Sequence, residues 1–181
     1  MTARTRATGS LVAVDGVSGP AVMRAATRLA SAAKGEGIGI SRWDASGIFG
    51  DLDAAEREAE RPSARTLLLL YAADLAFRLR WEIRPALAEG RRVIAAPYVD
   101  TAIALGRAAG LEDAWLRSMF EFAPVATERQ YVEGTQARPS GDGFIEFACR
   151  RLAQMDGRVA RQDLLTRMHA RLKATRHRSR G

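Results

Sequence analysis

Short unbroken apolar runs alternate along this chain with longer segments whose apolar positions recur every three or four residues, the two signatures of strand and helix. Leu11 to Val14 is one such run, ended by Asp15-Gly16, and predicts a parallel strand buried on both faces. From Ala21 to Lys34 the residues Val22, Ala25, Ala26, Leu29 and Ala33 follow helical spacing, and Gly35 with Gly37 closes that helix. Ile38, Ile40 and Trp43 alternate as a short second strand. Asp51 to Arg61 is charged and helix-favouring, and stops at Pro62. Ser63 is placed to cap a long helix from about Ala64 to Glu89. Its apolar face is Leu67, Leu68, Tyr71, Leu75, Leu79 and Ile83, interrupted near its end by Pro85 and closed by Gly90.

Val93 to Ala96 makes a third buried strand, stopped by Pro97, and Thr101 to Ala109 and Glu112 to Phe122 read as two helices split by Gly110. This alternation predicts an α/β fold of three layers, an open parallel sheet flanked by helices and joined by right-handed crossovers. After Pro124 the pattern weakens. Val125 to Val132 carries Glu128 and Arg129, which suits an edge strand or a loop better than a central strand. Gly134 to Gly143, with Arg138, Pro139 and Ser140, has loop chemistry and reads as a connection or a lid. Phe144 to Met155 and Val159 to Lys173 are amphipathic helices.

Composition narrows the class. With 181 residues, 47% of them hydrophobic, the chain buries one core, taken as a single domain over 11–173 after a basic, polar lead-in at 1–10 and before a basic tail at 174–181. A single cysteine, Cys149, excludes an internal disulfide and reads as a small core residue. No apolar stretch approaches the roughly 20 residues of a membrane helix, so the expectation is a cytoplasmic protein with no membrane partner. The net charge of +7 gathers at the C-terminal end, where Arg158, Arg161, Arg167, Arg171, Lys173, Arg176, Arg178 and Arg180 face the single Asp163. Such a block either grips nucleic acid or is a solvated helix end. His169 and His177 have no Cys, Asp or Glu at metal-ligand spacing, so no metal site is expected.

The strand at Leu11 runs into the outline of a phosphate loop. A working loop, G-x-x-x-x-G-K-[ST], wraps phosphates with backbone amides, reaches them with a lysine and ligates magnesium with a hydroxyl. Asp15, Gly16, Ser18 and Gly19 remain of it here, but Ala21, Val22 and Met23 stand in the places of the second glycine, the lysine and the hydroxyl residue. Gly16 and Gly19 serve either phosphate or a turn with unusual backbone angles. Val22 and Met23 put apolar side chains into the cradle, which predicts a loop that is collapsed or filled by protein.

The order Asp15-Gly16-Val17-Ser18-Gly19, Tyr71-Ala72-Ala73-Asp74, Arg84-Pro85-Ala86-Leu87-Ala88-Glu89-Gly90 and Tyr98-Val99-Asp100 resembles the bacterial thymidylate kinases over about 11–122, most specifically over 71–100. That resemblance implies a P-loop kinase fold. It places Arg42 where the family's second-strand arginine meets the monophosphate, and Tyr71 where an aromatic ring stacks on thymine. Leu75 stands in the place of a substrate-binding arginine, and Ala96-Pro97-Tyr98 replaces the family's Asp-Arg-Tyr, keeping only Tyr98. Asp100 lies just past a strand end, where α/β sheets bind ligands. Arg42 also has a reading as an ion-pair partner of Asp44 or Asp51, and Tyr71 as core.

Phosphoryl transfer rests on positioning and on cations around the phosphate. Losing one preorganised contact costs roughly 10² to 10³ in rate, and about four are gone here. The sequence therefore predicts a thymidylate-kinase-like protein that has lost phosphoryl transfer, with no catalytic residue and no cofactor, acting by binding or assembly. A divergent dTMP kinase using ATP and magnesium is the alternative, with Arg24 and Arg138 as replacement cations. A DNA-associated protein using the arginine-rich C terminus is the second. The family's habit of pairing long helices implies a homodimer with Leu67 to Ile83 as its surface.

Overall fold

Four strands, β1 (Ser10–Gly16), β2 (Gly39–Arg42), β3 (Arg92–Ala96) and β4 (Glu128–Val132), form one all-parallel sheet in the order β2-β3-β1-β4. The computed structural model describes residues 9–33, 38–54, 61–133, 143–152 and 158–178. Alternate β1 side chains feed two cores. Leu11 and Ala13 face the helices α3 (Ala64–Arg78), α5 (Val99–Ala108), α6 (Asp113–Met119), α7 (Phe144–Arg151) and α8 (Arg158–Arg178). Val12 and Val14 face the opposite layer, where Val22, Ala25 and Ala26 of α1 (Gly19–Ala32) close over Ile94 and Ala96. The fold is the three-layer α/β arrangement the alternation predicts, with β1 and β3 buried on both faces as their unbroken apolar runs require.

The weak segment after Pro124 resolves as the edge strand β4. Its start is pinned by Thr127, whose N–H donates to the Leu11 carbonyl at 2.8 Å while its hydroxyl accepts from the Leu11 N–H at 3.2 Å. An edge lets its charges stay at the rim, where Glu128 pairs with Arg92 at 2.8 Å and Arg129 with Asp100 at 3.0 Å. The loop or lid reading of 134–142, including Arg138, falls outside the described residues.

The long helix is not one uninterrupted α-helix. α3 passes through a wide turn at Leu79–Ile83 into α4 (Arg84–Ala88), and the Arg84 N–H reaches back five residues to the Leu79 carbonyl. Pro85 is the cause: it has no N–H to give and its ring excludes the carbonyl one turn earlier, so the helix widens before it. The apolar face is the one the spacing predicts, but its use differs. Leu67, Leu68, Tyr71, Leu75, Leu79 and Ile83 are each 0–1% exposed within the chain's own core, so these six are turned away from any partner. The outward side of the same helix presents Leu69, Phe77 and Trp81 instead.

Two boundaries move. Ser10 opens β1, and the Gly9 N–H before it donates to the Leu87 carbonyl of α4, so part of the stretch read as a lead-in is tied to the fold. At the other end α8 continues to Arg178 and takes in most of the stretch assigned to the tail. Leu164, Leu165, Met168 and Leu172 seat α8 on the core against α5. Cys149 is buried at 3% exposure, and burial, with Glu146 beside it, pushes its thiol up to about 11. Among the described residues no helix is long and apolar enough to cross a membrane.

Candidate functional site

Helix α1 begins earlier than its apolar periodicity suggests. Ser18 sits at the N-cap in extended conformation, Pro20 occupies the first turn, and only residues 17 and 18 separate β1 from the helix. The phosphate-loop pattern sets four residues between its glycines, enough to wrap an anion; this connection is a tight turn. Its leading amide is already taken. The Gly19 N–H donates to both carboxylate oxygens of Glu146, at 3.0 and 3.1 Å, and Glu146 is fully buried. A helix N terminus carries about half a positive charge and draws anions, and here the anion is the chain's own α7 side chain. Gly143 makes the approach possible, since a Cβ there would lie 2.6 Å from both the Gly19 Cα and Glu146 Oε2.

Asp15 and Gly16, also assigned to the loop remnant, are engaged within the chain. Neither Gly16 nor Gly19 has a positive φ, so unusual backbone angles do not explain them. Gly16 is required by space: a Cβ would meet the Val132 carbonyl at 2.9 Å and Val22 at 3.0 Å. Val22 points into the core at 1% exposure. Asp15 is buried, and its Oδ1 accepts from the Tyr98 N–H, the Thr101 N–H and the Thr101 hydroxyl at 3.0, 2.9 and 2.7 Å. It therefore caps the start of α5. Burial, then repulsion from Asp100, raises its carboxyl to about 6, with the Thr101 and Tyr98 hydrogen bonds opposing.

Tyr71 offers no open face to a base. Its ring is fully buried, 4.4 Å from the Phe144 centroid, and its hydroxyl donates to the Tyr98 carbonyl at 2.7 Å. Tyr98 is 4% exposed, with its hydroxyl on the Pro124 carbonyl at 2.8 Å. Asp100 accepts from the Tyr131 hydroxyl at 2.6 Å and from Arg129 at 3.0 Å, on the β4 side of the sheet. Of the four residues assigned to a nucleotide, these three brace β3, α5 and β4 and do not meet Arg42.

Beside Tyr71 lies an ion pair that the sequence reading missed. Arg78 and Asp74 are both 0% exposed and pair at 3.1 Å across one helical turn. Arg78 also donates to the Pro97 carbonyl at 2.9 Å, while Asp74 accepts from the Ser46 N–H and hydroxyl at 3.0 and 2.9 Å and from the Asp44 N–H at 3.3 Å. The pair thus holds the segments that follow β2 and β3, where a parallel sheet opens its ligand crevice.

A cavity of 840 Å³ opens at that place, lined by Arg24 and Arg28 of α1, Arg42 at the end of β2, Trp43, Met23 and Pro97 among others. Its size suits a nucleotide-sized ligand. Asp44, also in the wall, makes no salt bridge to Arg42; its two oxygens accept the Phe49 and Gly50 N–H groups at 2.9 Å each and cap α2 (Ile48–Ala54). Among the described residues none of Arg24, Arg28 and Arg42 is in a salt bridge with an acidic group. Among those residues, too, no three His, Cys, Asp or Glu side chains gather at metal-binding distance.

This arrangement of sheet, helices and crevice has a solved counterpart. A crystal structure of thymidylate kinase from Ehrlichia chaffeensis matches 94% of this chain and 82% of its own, with a TM-score of 0.65 and 11% sequence identity. The fold is thymidylate-kinase-like. No protein-family model and no curated protein matches the sequence. On this kinase-like scaffold, Arg42 and Gly19 are the assigned residues that line the crevice, Gly19 with its N–H held by Glu146, and Arg24 and Arg28 line the same cavity. Two signals pointed to the missed groups: Glu146 is a lone carboxylate within Phe144-Ile145-Glu146-Phe147-Ala148, and Arg28 lies one helical turn after Arg24, the cation already named from the sequence.

Proposed function

We propose that this chain binds a phosphorylated nucleotide of the dTMP type in the Arg42 cavity and does not transfer its phosphate. The observation that carries this reading is the Glu146 carboxylate on the Gly19 N–H, because it puts a fixed negative charge where a phosphate loop gathers its triphosphate. Ala21, Val22 and Met23 add no lysine and no magnesium ligand to offset that charge. A triphosphate would have to expel a buried carboxylate from its hydrogen bonds and would find no lysine at the loop position. Arg42, by contrast, remains exposed to the cavity without a salt-bridge partner among the described residues.

Calorimetric titration with ATP and with dTMP, each with magnesium, tests the reading alongside a coupled assay for ADP release. The expected outcome is heat with dTMP, none with ATP, and no turnover. Binding of both with turnover would replace it by the divergent kinase.

A second reading rests on α8, where Arg171 and Lys173 are exposed and Arg167 is answered only by the single Asp163, at 3.2 Å. In that reading the basic end of the chain holds DNA, and removing residues 174–181 abolishes a steeply salt-dependent affinity. The homodimer is retained as a proposal, moved to the outward stripe of Leu69, Phe77 and Trp81, which recurs at multiples of four residues along the helix.

A further inference from the structure

Tyr71 and Leu75, the positions at which a base and its edge would be met, are both 0% exposed and reach nothing in the crevice. A different ring does. Trp43 follows Arg42 just past the end of β2 and, among the described residues, is the one aromatic side chain in the cavity wall. Phe49, Phe147 and Phe144, each 1% exposed, pack against its indole at ring-centroid distances of 5.1, 5.8 and 6.3 Å. The half-buried indole is therefore held from the core side, and the part that the phenyl rings leave uncovered borders the cavity. Its Nε1 is buried without a hydrogen-bond partner among the described residues. A buried donor without an acceptor costs stability that a phenyl ring at the same place would not, so packing alone does not account for an indole here.

We infer that the cavity holds a nucleobase by stacking it on Trp43 and does not select thymine, so that it takes nucleoside monophosphates of either ring size. Choosing one base requires groups that hydrogen-bond its edge. The described wall has few: Asp44 has both oxygens on the N–H groups of α2, and Thr27 is the one neutral residue besides Trp43 with a hydrogen-bonding side chain. Arg24, Arg28 and Arg42, whose planar forks suit phosphate oxygens, serve the other end of the ligand. Stacking tolerates any base because each has a π-face, and a purine covers more of an indole than a pyrimidine does. The volume of 840 Å³ has room for both.

This inference rests on the cavity of the proposed function and adds the residue that holds the ring. The test is calorimetry on the full chain with dTMP, dAMP and 2-deoxyribose 5-phosphate, titrated into wild type, W43F and W43L, with tryptophan emission followed in parallel. Circular dichroism and the melting temperature check the variants. W43F keeps a ring in the aromatic cluster, and the emission of wild type reports stacking with no substitution at all, so the test survives a W43L that fails to fold. The expected result is dAMP bound as tightly as dTMP or more tightly, and the sugar phosphate, which has no base, bound about fivefold or more weakly. W43L brings both nucleotides down to the affinity of the sugar phosphate, and W43F falls between. Emission changes with the nucleotides, not with the sugar phosphate, and the change is lost in W43F. A preference of about tenfold or more for dTMP over dAMP, or nucleotide affinity indifferent to W43F and W43L, overturns the inference while the proposed function stands. A sugar phosphate bound as tightly as the nucleotides also overturns it, since the ring then adds nothing. Binding of dAMP through Trp43 without binding of dTMP sustains it while the proposed function falls. Silence from all three ligands removes both.

Discussion

Glu146 accepts the Gly19 N–H on both carboxylate oxygens, across a separation of 127 residues, and so joins the start of α1 to the first turn of α7. The contact satisfies an amide that no intrahelical carbonyl can reach and answers the positive end of the helix with a buried charge. It also leaves the kinase-like fold without an open anion seat at this position.

The strength of that link is measurable. Glu146→Ala leaves the Gly19 N–H buried without this acceptor and is expected to cost about 1–3 kcal/mol in urea unfolding. Glu146→Gln keeps an acceptor and should cost less. Gly143→Ala is expected to destabilise by about 1–3 kcal/mol as well, since its φ of 175° suits any residue and only the 2.6 Å approach to Gly19 and Glu146 forbids a side chain. Unchanged stability in Glu146→Ala and Gly143→Ala would mean that the helix end does not depend on α7.

Arg78 and Asp74 form a buried pair, and a pair of this kind resists loss of one member more than its net worth suggests. Asp74→Ala should destabilise by about 3–5 kcal/mol because the Arg78 guanidinium would remain in the core without its counter-ion. It would also free Ser46 and the Asp44 N–H, loosening the wall of the cavity. A double change to Leu at 74 and Met at 78 is expected to recover much of the stability but not the ligand affinity, which separates support of the fold from positioning of the site.

Asp15 makes stability depend on pH. Its carboxyl is raised from 3.8 to about 6, chiefly by burial, so the folded state holds this proton more tightly than the unfolded chain does. The stabilisation is therefore complete below pH 4 and lost as pH rises through 6, a difference on the order of 3 kcal/mol at about 1.4 kcal/mol per pH unit. Subtracting the unfolding free energies of Asp15→Asn from those of wild type at each pH isolates this contribution. The difference should fall between pH 4 and pH 6.5; a difference that rises would reverse the sign and the assignment.

Pairing of two chains would involve the outward side of α3 and the turn after it. Trp81, Leu69 and Phe77 are 62%, 52% and 40% exposed, large apolar groups on one side of the helix. Sedimentation velocity is expected to find a dimer for wild type and a monomer for Trp81→Asp, both with unchanged helix content. A monomeric wild type at tens of micromolar concentration would end the dimer proposal.

How legible each feature was follows from its range. The apolar runs at Leu11 and Val93 announced strands buried on both faces, and the spacing from Leu67 to Ile83 announced a buried helical face, because both patterns arise within a few residues. The same spacing does not say what covers it, since an apolar stripe reads alike whether its cover comes from the same chain or another. Tyr71 was open to two readings for the same reason, and packing against Phe144 decided for the core.

By itself the sequence determined which side chains stand at the start of α1: Ala21, Val22 and Met23, where a phosphate loop carries its second glycine, lysine and hydroxyl residue. It also determined the three-layer α/β class, because period and chain order are local properties. Only the tertiary structure decided what fills the vacated position and which cations share a cavity. Gly19 meets Glu146, and Arg24, Arg28 and Arg42 come to line one cavity, through the packing of distant segments, whose free energy comes from burial and charge in three dimensions and leaves no period along the chain.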